Sequence, residues 1–138
     1  MLDVSAGFSF YFEVPGEPSN NHIWTVVTDP DSTNEEVAIV NFTSVKEDKP
    51  VYDETTIVEP SEFSSVLCKR SYLYYFHSRV LTVANLNKIL QSEFAAKREF
   101  CPPDLCRRIQ EGIIASKQTP AKVKKFVRSC LRCEQEIH

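Results

Sequence analysis

The chain changes its hydrophobic period once, near residue 81, and that change limits what it can fold into. Before it, apolar residues come in short runs rich in aromatic and β-branched side chains, at residues 7–12, 23–28, 37–42 and 72–76. Each run has the composition and length of a strand. Pro15-Gly16-Glu17-Pro18 and Asp29-Pro30-Asp31-Ser32-Thr33-Asn34 carry turn chemistry between them. A longer polar loop runs from Lys46 to Thr56. Short strands without intervening helices predict an antiparallel barrel or sandwich.

Beyond residue 81 the apolar spacing becomes helical. Thr82 is placed to cap a helix reaching about Ala95, with Val83, Leu86, Ile89 or Leu90, and Phe94 on one side. Pro102-Pro103 opens a second helix, with Leu105, Ile109 and Ile113 spaced by four. Thr119 and Pro120 read as the cap and first residue of a third. There, Val123, Phe126, Val127, Cys130 and Leu131 form one apolar stripe that must pack on something. The expectation is therefore an α+β protein, with a small antiparallel β-barrel over residues 1–81. A three-helix C-terminal extension over 82–138 packs on that barrel.

A chain of 138 residues buries enough surface to fold without a disulfide or a metal. It lacks the run of about 18 apolar residues that spans a bilayer. Residues 1–14 contain Asp3 and Glu13 but no Lys or Arg, unlike a secretory leader. Five cysteines cannot all pair internally, which favours free thiols and a cytoplasmic location. Cys130-x-x-Cys133 has the spacing of half a zinc site, and Cys101-x4-Cys106 of the other half. Cys130 and Cys133 fall inside a patterned helix, however, where cysteine serves as a small hydrophobe. No metal and no other cofactor is called for.

Gly7, Gly16 and Gly112 are the only glycines, and none sits in a phosphate-cradling loop. No G-x-S-x-G or H-E-x-x-H occurs either. Charge is unevenly spread. Residues 1–85 hold 5 Lys/Arg against 13 Asp/Glu, and residues 86–138 hold 11 against 6. These are either two solvated faces that attract each other, or a basic helical face that meets an anionic partner.

Three segments carry a family resemblance: the strand running into a Pro/Gly loop from Phe8 to Pro18; His22-Ile23-Trp24-Thr25-Val26-Val27-Thr28-Asp29-Pro30; and Val37-Ala38-Ile39-Val40-Asn41-Phe42-Thr43-Ser44. Together, from Phe8 to Leu86, they resemble the PemK/MazF-like toxin superfamily. The resemblance implies an SH3-like barrel and metal-independent cleavage of single-stranded RNA, a hydrolase activity within a type II toxin–antitoxin system. It implies a basic residue at the head of the second strand and a Thr or Ser at the end of the third. Here His22 stands where the family has arginine, and Thr43 and Ser44 match the Thr-Ser position. The expected partners are RNA, a cognate antitoxin protein and a second copy of the chain in a homodimer, with no membrane.

The residues themselves suit that chemistry. RNA cleavage by internal attack needs a base for the 2′-OH, an acid for the departing 5′-oxygen, and donors or cations for the phosphate. His22 titrates near neutrality and serves as acid or base. Thr43, Ser44 and Ser71 offer hydroxyls, completing the catalytic candidates. Lys69 and Arg70 are candidates to hold phosphate, and Tyr72 to stack a base or donate to it. His77 is a second-choice catalytic residue, expected to point with Tyr75 and Arg79, opposite Phe76. Each has a plainer role: strand-end turn residues, a solvated basic pair, and tyrosines that fill the core and sheet face. The alternative function is a non-catalytic SH3-like module that binds a protein partner or nucleic acid; a third is a structural protein of a phage or mobile element.

Overall fold

The computed structural model describes residues 4–13, 22–49 and 51–137. The chain is α+β: the described residues form an antiparallel seven-stranded sheet and three helices. The strands are β1 (Ser9–Phe12), β2 (His22–Val26), β3 (Glu36–Ser44), β4 (Ile57–Val58), β5 (Ser71–Leu73), β6 (Arg79–Thr82) and β7 (Ala95–Arg98). The helices are α1 (Val83–Leu90), α2 (Pro103–Ala115) and α3 (Ala121–Ile137). The sheet runs β4-β5-β3-β2-β1-β7, with β6 also on β3, and it does not close on itself. The proline-glycine turn expected at residues 15–18 lies outside the described residues.

β3 organises the molecule. Its residues 37–42 are all buried, so both faces of the sheet are covered there. Ala38, Val40 and Phe42 pack with Leu105, Ile109 and Ile113 of α2 and Val123 and Val127 of α3. Val37 and Ile39 point the other way, into a smaller core with Phe8, Phe10, Val26 and Leu86 of α1. The third-helix stripe thus packs on the sheet and on α2. Val123 and Val127 are buried, while Phe126 and Leu131 lie at the edge of that core.

Several boundaries differ from expectation for identifiable reasons. The strand expected at 72–76 stops at Leu73, and a short 3-10 turn, Tyr75–His77, follows. That turn swings Tyr75 into the core. Its hydroxyl meets Thr56 Oγ1 at 2.7 Å and donates to the Ile109 carbonyl at 3.1 Å. Gly112 permits this, since a Cβ there would collide with the Tyr75 and Thr56 hydroxyls. The turn also sends His77 onto Tyr74, with ring centroids 4.2 Å apart, and not alongside Tyr75 as strand alternation had implied.

The first helix is capped by Thr82, which accepts from the Asn85 amide at 3.1 Å, but it ends at Leu90 and does not reach Ala95. Ser92 folds back on the Ile89 carbonyl, and residues 95–98 then pair with β1. An open sheet edge outweighs the helical preference of Ala95, Ala96, Lys97 and Arg98. Phe94 consequently leaves the helical stripe, and its carbonyl accepts from the Glu13 amide. Thr119 does not cap α3. The Pro120 carbonyl accepts the first bond, from Lys124, and the buried Thr119 hydroxyl has no partner among the described residues. β4 and β6 had no counterpart in the sequence pattern.

Candidate functional site

The register of three strands places the candidate residues. Ile23 pairs with Phe42, which sets His22 beside Thr43; Thr43 pairs with Tyr72, and Ser44 with Ser71. His22, Thr43, Ser44, Lys69 and Ser71 line one cavity of about 260 Å³, together with Tyr11, Lys46 and Cys68. A smaller cavity of about 100 Å³ shares Thr43, Ser44 and Lys46, and adds Lys49, Tyr52 and Tyr72. Of the eight residues singled out in the sequence, Arg70 and His77 line neither cavity; Arg70 is in an ion pair with Glu59 at 2.9 Å.

Strand alternation divides this set. Ser44 and Ser71 share the face of Phe42 and Leu73, toward α2 and α3. His22 and Thr43 share the face of Trp24, Asn41 and Tyr72, on the α1 side. Ser71 is buried, and its hydroxyl donates to the Lys69 carbonyl at 3.0 Å, a local bond that shapes the entry into β5. Thr43 accepts from Asn41 Nδ2 at 3.1 Å and also bonds Tyr72. The chemistry-bearing face is therefore that of His22, Thr43 and Tyr72.

That face continues as a chain of rings. Tyr52 stacks on Tyr72 at 4.9 Å, Tyr72 meets Tyr74 edge-on at 5.9 Å, and Tyr74 contacts His77. Arg79 lies over Trp24 at 5.5 Å from the ring centre. Burial is the main cause that lowers the pKa of His22; the charge of His77 and, less, that of Lys46 add to it, and the Phe42 backbone partly offsets them. His77 is lowered by burial and then by Arg79. Both imidazoles are therefore neutral at pH 7 and able to accept a proton. Burial raises Tyr72, with its neighbour Tyr74 adding to the effect, so its phenol stays a donor.

Sequence reasoning passed over Lys46, Lys49 and Tyr52, which sat in a loop read only as polar. Their signal was a cation pair and a tyrosine in a segment otherwise crowded with acids. Among the described residues no group of His, Cys, Asp and Glu gathers to hold a metal; Cys101 and Cys106 are buried at the start of α2, and the Cys133 side chain is outside the described set. Among the described residues no helix is long and apolar enough to cross a membrane. No protein-family model matches the chain, and no curated protein matches it significantly.

Proposed function

We propose that this chain binds single-stranded RNA along the His22–Tyr72 face and cleaves it without a metal, as the toxin of a type II toxin–antitoxin system in the cytoplasm. One observation carries the proposal. Residues 1–85 hold only five Lys or Arg against 13 acids, yet Lys46 and Lys69 line the cavity of His22, and Lys46 and Lys49 line the neighbouring cavity of Tyr72. Concentrating scarce cations around an imidazole and a ladder of tyrosines suits an anionic, base-bearing ligand. The remaining two, Arg70 and Arg79, are engaged by Glu59 and Trp24.

The parts have natural roles. His22 takes the proton of the 2′-OH, the lysines hold the phosphate, and Thr43 and Tyr72 offer hydroxyl donors. Ser44 lies on the cavity wall, and Ser71 supports the backbone from beneath. The finer reading of the sheet as an SH3-like barrel belongs to the same proposal; its support is the meander β1-β2-β3 with β5 and β6 sharing one edge of β3. An antitoxin protein and a homodimer complete the proposal as partners.

The test is purified chain incubated with single-stranded RNA, with and without EDTA, beside His22→Ala. The expected outcome is cleavage that survives EDTA and falls by about 10²–10⁴-fold in the variant. Binding without cleavage, together with harmless expression in cells, would favour the non-catalytic binding module.

A further inference from the structure

His77 stands on the same face as His22, and the fold brings them together by two separate routes. His22 opens β2 next to Thr43 of β3. On the opposite edge of β3, the Tyr74 amide donates to the Asn41 carbonyl at 3.0 Å, and the 3-10 turn returns His77 onto the Tyr74 ring. Asn41 stands on the same face of β3 as Thr43, the neighbour of His22. Its side chain is fully buried and its Nδ2 donates to Thr43, while Oδ1 has no partner among the described residues. A buried acceptor left open is costly.

We propose that His22 and His77 form a proton-transfer pair that straddles one phosphodiester group of a bound RNA strand. The inference rests on the RNA-cleavage reading above and gives that site its second catalytic residue. His22 removes the proton from the ribose 2′-OH as the 2′-oxygen bonds to phosphorus. His77, protonated, delivers its proton to the 5′-oxygen as the P–O5′ bond breaks. The products are a 2′,3′-cyclic phosphate and a free 5′-hydroxyl. No oxidant or co-reactant is needed, and one proton exchanged with water resets the pair.

Burial is the main cause that lowers both imidazoles; the charge of His77 and then that of Lys46 add to it at His22, and Arg79 adds to it at His77. Lys46 faces His22, Arg79 faces His77, and Tyr74 packs on His77. A phosphate between the imidazoles reverses the penalty, because its negative charge stabilises both protonated forms.

Two measurements on the full chain decide the matter. In the first, imidazole proton resonances are followed by NMR against pH, with and without a 2′-deoxy tetranucleotide that cannot be cleaved. Spectra of His22→Gln and His77→Gln assign the signals. The expected result is that the oligonucleotide raises the titration midpoint of both histidines; a shift of His22 alone, or of neither, overturns the pairing. In the second, RNA cleavage is profiled against pH. His77→Gln should lower the rate by about 10²–10⁴-fold and remove the alkaline limb, while His22→Gln removes the acid limb. Cleavage by wild type with an unchanged rate and profile in His77→Gln overturns the inference and leaves the RNA-cleavage reading standing. Absence of any wild-type cleavage overturns that reading and the proton transfer with it, and a double NMR shift would then retain only a phosphate-binding pair.

Discussion

His22 and His77 also bear on stability, independently of any ligand. Burial lowers both pKa values in the folded state, whereas the unfolded chain titrates near 6.5. Above pH 6.5 both states are neutral and the histidines have no effect. As pH falls below that value the unfolded chain takes up protons that the folded chain resists, and stability declines until the folded pKa is passed. Thermal melts should therefore show Tm falling as pH drops below about 6.5, and His22→Gln with His77→Gln should flatten that decline. A slope unchanged in the double variant would show that the imidazoles are more exposed than the structure places them. His22 was legible in the sequence because it heads a strand. The part played by His77 was not, because it depends on a turn made when Tyr75 seeks Thr56 and Ile109 for its hydroxyl. No local pattern around residue 77 reports a partner 34 residues beyond Tyr75.

At the scale of elements, periodicity served where one face dominates and failed where pairing decides. The spacing of Leu105, Ile109 and Ile113 located α2 because all three enter the core. It did not locate β7, whose four residues favour a helix in isolation and become a strand only because β1 leaves an edge open. Nor did the stripe of α3 rank its own members. Phe126 is its largest residue but is only half-buried, whereas Ile113 of α2 is fully enclosed. Ile113→Ala should accordingly cost about 2–5 kcal/mol. Phe126→Ala should cost less than the roughly 3–5 kcal/mol of a fully buried phenylalanine. Urea unfolding of the two variants checks the order, and a larger loss for Phe126 would mean that a partner or a tighter core covers it.

For the molecule as a whole, the uneven charge offered two surfaces to an anionic ligand, and the sequence could not choose between them. The exposed cations of α3, among them Lys122, Lys125 and Arg128, are numerous but line neither of the cavities that hold the candidate residues. Lys46, Lys49 and Lys69 are few, and they come from two loops that only the β3–β5 pairing brings together. If the cavity lysines hold the backbone of a single strand, salt dependence should count them. Three phosphate contacts give a slope of about −2 for the logarithm of affinity against the logarithm of salt concentration. Each of Lys46→Ala, Lys49→Ala and Lys69→Ala should then reduce that slope by about 0.7, whereas Lys122→Ala, Lys125→Ala and Arg128→Ala should leave it in place. Fluorescence anisotropy with a labelled RNA oligomer across a salt series reads both sets. A slope that responds to the α3 variants and ignores the cavity lysines would move the RNA onto the helical face, and would leave His22 and its tyrosines without a substrate to act on.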